Sequence, residues 1–378
     1  MISPDNIFGL LAVLLALAAF AAGVEQTPLG KRISGAGIVI LSALAASHFN
    51  IIPRSAPVYG VIWSYLVPVA IALFLFRADL IKVFAEGGRV LIAFLIGMAG
   101  SVLGALLAAP FVDLGANEAK IAAVFSATYT GGSLNFVAVA DALRFEDASQ
   151  LSAALAIDNI LGVGFIIFLN VLAGWRLLQN RFHWRVDSIW GDAIVSENAE
   201  ARAPTLFQLL TALAIAVSVT AASEKIAGAL GIPDYSLLVL TVLMTAAATI
   251  GRSFLARLRG EDVIAMIFMY LFFAIVGAGA DVNGILSAAP GMFWMVLLIF
   301  AVHLMFLAAA GALFKLNYAE LIVASLACIA GPPVAAAIAI LFKWRNLVLP
   351  GILTGILGYV LGNFVGIGVY SLLEGANP

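Results

Sequence analysis

Charge is the scarcest property of this 378-residue chain. Only 11% of the residues are charged and 63% are hydrophobic, and the mean hydropathy is +1.11. Soluble domains carry about 25% charged and about 45–50% apolar residues, because polar side chains must cover their surface. Too few charged side chains are present here to cover a water-soluble fold. The composition therefore predicts an integral membrane protein.

Basic residues, cysteine and histidine are also too scarce to form the binding sites that depend on them. The net charge of −2, without a basic patch, excludes nucleic acid as a partner. One cysteine excludes a disulfide framework, and three scattered histidines without an HExxH pattern argue against a histidine metal site. No G-x-x-x-x-G-K-[ST] motif for ATP is present. We therefore expect no cofactor apart from a coupling ion, Na⁺ or H⁺.

Long apolar runs fill most of the chain. A helix needs about 20 such residues to cross roughly 30 Å of hydrocarbon. Twelve membrane helices are predicted, at 6–23, 34–52, 58–77, 89–113, 119–143, 148–174, 205–230, 235–251, 262–280, 289–314, 319–342 and 347–373. The first run lacks a preceding basic segment, so it indicates a span and not a cleaved signal. Residues 175–204 carry too many charges to span, and we interpret them as a polar linker between two halves, 1–174 and 205–378.

The second half matches the first at an offset of about 200 residues. Six segment starts coincide, and Gly131 falls on Gly331. Internal repeats in an all-helical membrane protein are typical of secondary transporters. In the first half, loops after odd-numbered segments carry more Lys and Arg than loops after even-numbered segments. This bias is lost in the second half, which favours inverted repeats under the positive-inside rule. Six spans per half would instead leave both halves in one orientation, so the absolute topology stays open.

Helix-breaking residues interrupt segments 119–143 and 319–342 at equivalent places. Irregular backbone at membrane depth survives only where protein or a watery cavity covers it. Glycine costs about 1 kcal/mol relative to alanine in a helix interior, and proline removes a backbone donor. Helix N-termini at such breaks can bind an anion. The candidate substrate-binding residues are therefore Thr128, Thr130, Gly131, Gly132, Ser133, Asn135, Gly331, Pro332 and Pro333.

A carboxylate follows the first break. Asp158 lies roughly ten residues into the sixth segment, near the bilayer centre, where a bare charge is expensive. We predict that it binds the coupling ion, as a metal ligand if the ion is Na⁺, with Asn159 and Asn363 as further ion-coupling candidates. Asp141 is either a functional carboxylate or a residue whose side chain reaches the membrane interface. His303 is either a proton carrier or a packing residue.

Several of these motifs resemble one family of membrane proteins. The stretch from Ala127 to Val139, together with Pro53–Tyr59 and Phe76–Leu80, is similar to the YjcL-like family of bacterial membrane proteins. The similarity runs over nearly the whole chain, and that family resembles the cation/proton antiporter and bile-acid/sodium symporter superfamily. The resemblance implies an all-α membrane fold of about twelve helices in two inverted repeats. It also implies a panel domain, a core domain with two broken crossing helices, 119–143 and 319–342, and an elevator-type mechanism.

The resemblance also bears on the ion site. Asp158-Asn159 is similar to the Asp-Asp or Asn-Asp pair that binds the coupling ion in the antiporters. Here only one residue of the pair is a carboxylate, which favours single-ion coupling over two-proton exchange. The two breaks also differ, since Thr-Gly-Gly-Ser in the first half is replaced by Gly-Pro-Pro in the second, so the two half-sites are chemically unequal.

The leading hypothesis is a secondary active transporter that carries a small organic anion in symport with Na⁺ or H⁺. Cation/proton antiport is the alternative, and a channel or an intramembrane enzyme represents the other classes. Gly131–Asn135 fails the G-x-S-x-G nucleophile pattern because Asn135 replaces the final glycine, so we expect no enzymatic activity. The expected partners are lipid and a small solute or ion, a homodimer stays open, and the expected location is the inner cell membrane.

Overall fold

The computed structural model describes residues 2–27, 35–112, 114–174, 203–280 and 282–376. All regular elements within these ranges are helices. In the first half they are α1 (Ile7–Glu25), α2 (Gly35–His48), α3 (Pro57–Arg77), α4 (Leu80–Glu86), α5 (Gly88–Ala108), α6 (Glu118–Gly131), α7 (Ser133–Ala142) and α8 (Ala148–Gly174). In the second half they are α9 (Leu206–Ala229), α10 (Ser236–Ile250), α11 (Arg252–Leu255), α12 (Glu261–Gly279), α13 (Val282–Phe314), α14 (Tyr318–Ile329), α15 (Pro332–Leu341) and α16 (Arg345–Ala376).

The all-helical membrane fold predicted from composition is confirmed. Within the described ranges, nine helices are long and apolar enough to span a membrane, namely α1, α3, α5, α8, α9, α10, α12, α13 and α16. The α2 helix has only 14 residues. Twelve spans were predicted, and the difference arises mainly in segments 119–143 and 319–342, each of which is divided into two short helices.

The first divided segment turns back on itself. Lys120, near the beginning of α6, donates to the carbonyl oxygen of Arg144, just beyond α7, at 3.3 Å. A continuous helix would separate these residues by about 36 Å. Gly366 of α16 touches both arms, since a Cβ placed there would lie 2.7 Å from Val139 Cγ2 and 3.0 Å from Ala123 O. The segment is a re-entrant hairpin, which we call hairpin 1, and the predicted crossing helix is corrected accordingly.

The second divided segment follows the same path. A Cβ placed at Gly351 of α16 would lie 2.7 Å from Val323 Cγ1 in α14 and 3.4 Å from Ala335 Cβ in α15. In a continuous helix Val323 and Ala335 would be about 18 Å apart along the axis. The α14 and α15 helices are therefore the arms of hairpin 2. Each second arm has only ten residues, about 15 Å, which is too short to complete a crossing.

Two groups of helices can be distinguished by their packing. In the hairpin group, α5 lies along α13, and α16 lies against both hairpins. In the outer group, α12 packs on α2 and α3, and α9 packs on α10 and α3. Hydrogen bonds between side chains join the groups, from Trp63 of α3 to Asp141 of α7 and from Asn363 of α16 to Thr241 of α10. The candidate site lies within the hairpin group, close to this boundary.

The helix ends define two faces of the bundle. Arg144 pairs with Asp234 on one of them, which we call the Arg144 face. On the opposite Arg89 face, Arg89 pairs with Glu320 at 3.1 Å, and Arg77 pairs with Glu261 at 2.7 Å. Hairpin 1 enters from the Arg144 face and hairpin 2 from the Arg89 face. Residues 175–202 of the predicted linker, 175–204, lie outside the described residues, and the division into two halves stays a prediction.

Candidate functional site

The tip of hairpin 1 is formed by two glycines. The α6 helix ends at Gly131, and Gly132 has φ 105° and ψ 178°, a backbone conformation that is essentially restricted to glycine. The Gly132 N–H donates to Thr128 O at 2.6 Å, which closes α6, and Asn135 N–H donates to Gly132 O at 3.1 Å, which opens α7. This single residue therefore interrupts the segment, as the Gly-Gly pair predicted, and it also reverses the chain, which was not predicted.

The tip of hairpin 2 reaches the same backbone conformation with different chemistry. Gly331 has φ 81° and ψ −178°. Pro332 and Pro333 follow as the first two residues of α15, where proline is favoured because helical N–H groups have no intrahelical acceptor there. The prolines therefore do not kink a helix. They begin one, and the interruption lies at Ala330-Gly331.

The two tips meet. A Cβ placed at Gly132 would lie 3.9 Å from Gly331 Cα, and one placed at Gly331 would lie 3.5 Å from Gly131 O. The N-termini of α7 and α15 both begin at this contact, so two partial positive charges converge on one point inside the membrane. Irregular backbone needs protein or a water-lined cavity around it at such depth. The meeting point of the tips is the centre of the candidate site.

A buried carboxylate adjoins this centre. Asp158 of α8 is 7% exposed, and the Ser133 hydroxyl donates to its Oδ2 atom at 3.3 Å. The Tyr129 hydroxyl is a neighbour of the same carboxyl group, but it is fully buried and has no hydrogen-bond partner among the described residues. Three side-chain oxygens from three helices therefore lie close together, as the position of Asp158 after the first break suggested. No group of three His, Cys, Asp or Glu residues that could hold a metal occurs in the described ranges.

The other polar candidates of hairpin 1 hold the hairpin together. The hydroxyls of Thr128 and Thr130 donate to the carbonyl oxygens of Val124 and Ser126, one turn earlier, at 2.7 and 2.8 Å. The Asn135 amide donates to Ala127 O at 3.3 Å and to Gly358 O of α16 at 2.9 Å. All three side chains are buried. Their predicted contact with a substrate is untested, and the bonds that the structure gives them are structural.

The two asparagines predicted beside the ion are not hydrogen-bonded to Asp158. The Asn159 amide donates to Leu155 O of its own helix at 2.7 Å. The Asn363 amide donates to Thr241 Oγ1 at 3.0 Å, while its carbonyl oxygen, Oδ1, is buried without a partner in the described part of the chain. Asn363 therefore belongs to the contact between α16 and α10, and an ion-coupling role for either residue stays a prediction.

Comparison with known proteins identifies the family to which the chain belongs. The family described as "protein of unknown function (DUF819)" matches residues 12–375. The chain belongs to this family. The chain is also 32% identical over 390 residues to the uncharacterized membrane protein YjcL of Bacillus subtilis (strain 168), and the match covers 97% of this chain and 96% of that one. The resemblance to YjcL-like proteins seen in the hairpin 1 sequence is thus confirmed.

In this DUF819 protein, α16 supports both tips through a row of glycines, which sequence reasoning missed. A Cβ placed at Gly355 would lie 2.7 Å from Pro332 N, and one placed at Gly358 would lie 2.5 Å from Thr130 O. Gly362 faces Asn135 and Gly366 faces Val139 in the same way. The spacing of three or four residues was the available signal, because small residues at that spacing let membrane helices approach closely.

Tyr359 is a further site residue without a sequence signal. Its ring lies over both tips, with Cε1 at 3.7 Å from a Cβ placed on either Gly132 or Gly331. Its hydroxyl oxygen is 3.3 Å from the Gly331 position. Unlike the threonines of hairpin 1, Tyr359 is only partly buried. It brings an aromatic ring and a hydroxyl group to the centre of the site.

His303 lies in a separate buried network. Its Nδ1 atom is 2.8 Å from Gly97 O and 3.0 Å from Ser101 Oγ, and its Nε2 atom is 2.9 Å from Ser325 Oγ. A neutral imidazole satisfies this arrangement, with Nδ1–H donating to Gly97 and Nε2 accepting from Ser325. Of the two interpretations from the sequence, this geometry favours the packing residue. Asp141, likewise ambiguous, accepts from the indole N–H of Trp63 between the two helix groups.

Proposed function

We propose that this protein is a secondary active transporter that carries a small organic anion in symport with Na⁺ or H⁺ by alternating access. The observation that carries the proposal is the meeting of two hairpin tips beside the buried carboxylate of Asp158. Broken helices at the membrane midplane, with their N-termini directed at a common point, are how transporters bind anionic groups and their coupling ions.

The coupling step follows from the electrostatics of the tip. An anion held at the beginning of α7 lies beside Ser133, whose hydroxyl bonds Asp158 at 3.3 Å. Two negative charges about 4 Å apart repel by about 4 kcal/mol at an effective dielectric constant of about 20. A proton or a Na⁺ ion on Asp158 removes this repulsion. Solute and cation therefore bind together more readily than either binds alone, which is the requirement for symport.

The proposal includes inverted repeats and an elevator-type motion. We count the 14-residue α2 as a crossing together with the nine longer helices, so that the first half contributes α1, α2, α3, α5 and α8, and the second half contributes α9, α10, α12, α13 and α16. An odd number of crossings on either side of the linker reverses the orientation, which supports inversion, whereas six crossings per half would not. Hairpins that enter from opposite faces support the same arrangement. Motion of the hairpin group against the outer group would expose the tips to each face in turn.

The orientation that we propose follows from the basic residues. In the described residues the Arg144 face carries four, Arg54, Lys120, Arg144 and Lys225, whereas the Arg89 face carries nine, Arg77, Lys82, Arg89, Arg252, Arg257, Arg259, Lys315, Lys343 and Arg345. Lys and Arg accumulate in cytoplasmic loops. We therefore assign the Arg89 face to the cytoplasm of an inner-membrane protein.

Cation/proton antiport is the second candidate. The cluster of Asp158, Ser133 and the unpartnered Tyr129 hydroxyl can bind a cation without any solute, which favours this alternative. No enzymatic activity forms part of the proposal. Ser133 bonds a carboxylate, and His303 is engaged with Ser101, Gly97 and Ser325 elsewhere.

Uptake into proteoliposomes with an imposed Na⁺ or pH gradient tests the function. Purified protein is first screened with a panel of organic anions by thermal unfolding in Na⁺ and in K⁺, because a ligand of the native state raises its stability. Gradient-driven accumulation of a stabilising anion should be lost in Asp158→Asn, which keeps the shape and removes the charge. Solute counterflow without a gradient should survive in part.

Asp147→Asn is the matched control. Asp147 is exposed and caps the beginning of α8 through bonds to the N–H groups of Ser149 and Gln150, both at 3.0 Å, and asparagine caps helices equally well. This variant should accumulate solute like the unaltered protein. Undiminished accumulation in Asp158→Asn would refute the coupling role of Asp158. If Na⁺ drives proton release in the absence of any solute, the proposed mechanism is antiport and not symport.

A further inference from the structure

The two tips differ in the hydrogen bonds that they can donate. In hairpin 1, Ser133 and Leu134 are the first two residues of α7, and their N–H groups have no acceptor within the helix. Asn135 N–H already donates to Gly132 O. Ser133 is exposed, so two N–H groups are available at this tip, whereas the Ser133 hydroxyl already donates to Asp158. Such a set binds one carboxylate.

Hairpin 2 lacks donors at the two equivalent positions, and the first N–H group of α15 is that of Val334. The first two residues of α15 are Pro332 and Pro333, and neither has an N–H group. Pro332 is buried against α16, with its nitrogen 2.7 Å from a Cβ placed at Gly355. Pro333 is exposed and presents an apolar ring. The second tip therefore offers an apolar surface where the first offers donors.

Side chains near the tips indicate that a ligand belongs there. The Tyr129 hydroxyl is fully buried beside the Asp158 carboxyl group but makes no hydrogen bond of good geometry in the described part of the chain, which is costly for a donor group. The Tyr359 hydroxyl lies at the Gly331 tip. The basic side chains of the described residues lie at the two faces. The site thus contains donors for one anionic group and no cation for a second.

We infer, on the basis of the proposed transport function, that the solute carries a single carboxylate bound at the tip of hairpin 1 and an apolar group against Pro333. The charge balance agrees with this assignment. One cation neutralises Asp158, and one solute carboxylate is matched by the α7 N-terminus. A second carboxylate would face prolines and would remain unpaired.

Binding to pure probes tests the inference. Pentanoate and glutarate have the same carbon chain and differ by one carboxylate, and phenylacetate and 4-carboxyphenylacetate form a second pair. Each is titrated at millimolar concentration against the purified protein in Na⁺ buffer, with thermal unfolding as the readout. The monocarboxylates should stabilise the protein, and the dicarboxylates should bind at least about tenfold more weakly, because a lost charge-assisted hydrogen bond costs that much.

A pair of variants makes the test specific to hairpin 2. Pro333→Ala restores an N–H group at an exposed position and should improve glutarate binding about tenfold. Pro332→Ala restores one that faces Gly355 and should leave the preference unchanged, while it controls for the loss of a proline at the tip. Unfolding curves without ligand verify that both variants fold.

The inference is overturned if the dicarboxylates bind as tightly as the monocarboxylates of the same pair. It is also overturned if neither monocarboxylate stabilises the protein. Equal gains in Pro332→Ala and Pro333→Ala also overturn it, since the exposed N–H would then be irrelevant. The binding assay uses no gradient, so these outcomes are distinct from a failure of ion coupling. A dicarboxylate transporter that still depends on Asp158 would retain the proposed function and lose only the solute class.

Discussion

Gly132→Ala isolates the backbone strain at a hairpin tip. Gly132 has φ 105° and ψ 178°, where residues with a Cβ atom are essentially absent. The added methyl group itself has room, because its nearest neighbours would be Tyr359 Cε1 at 3.7 Å and Gly331 Cα at 3.9 Å. These are ordinary van der Waals contacts. The effect of the substitution must therefore come from the backbone conformation.

We expect Gly132→Ala to lower the free energy of unfolding by about 1–3 kcal/mol, the cost of holding a residue in such a conformation. This corresponds to a factor of about 5 to 160 in the equilibrium constant. Equilibrium denaturation in mixed micelles measures the change, and Gly164→Ala is the control, since a Cβ there has nothing within 4 Å. A Gly132→Ala protein as stable and as active in uptake as Gly164→Ala would refute the argument that the tip requires glycine.

Three further substitutions test the surrounding structure. Gly362→Ala should abolish uptake while leaving membrane insertion intact, because the new Cβ collides with the Asn135 amide that ties hairpin 1 to α16; Western blots of membranes and uptake assays separate the two effects. His303→Phe should destabilise the protein by about 1–3 kcal/mol through the lost hydrogen bonds, and the ratio of Na⁺-driven to pH-driven uptake should stay unchanged if the residue only packs. Arg77→Met should cost about 1–3 kcal/mol in denaturation, because Glu261, only 6% exposed, loses its partner at 2.7 Å.

The positions of the breaks were predictable from sequence, but the path of the chain was not. Gly131-Gly132 and Gly331-Pro332-Pro333 predicted interrupted helices, and the structure confirms both. The 25 residues of segment 119–143, most of them apolar, are long enough for one crossing or for two half-crossings. A hydropathy profile gives the length of an apolar segment but not the direction in which the chain runs. The reversal at Gly132 could therefore be found only from contacts such as that of Lys120 with Arg144.

Side-chain roles were harder to predict, because a polar residue at membrane depth has two ways to satisfy its hydrogen bonds. Asp158 follows the first break in the sequence, and the structure places its carboxyl group beside Ser133 at that break. Thr128 and Thr130 satisfy their hydroxyls on the preceding turn, which the sequence does not distinguish from substrate contact. Tyr359 has no pattern of its own, since its position depends on the meeting of two tips that are 199 residues apart in the chain.

The glycine row of α16 has a consequence for biosynthesis. Both hairpins are translated before α16, yet Gly355 and Gly358 are the surfaces on which their tips rest. Until residues beyond 345 enter the membrane, the unpaired backbone of each tip has no α16 to cover it, and such backbone is not tolerated against lipid. Docking of the hairpins therefore has to wait until α16 is made, and a chain stopped before α16 should expose both tips to membrane proteases.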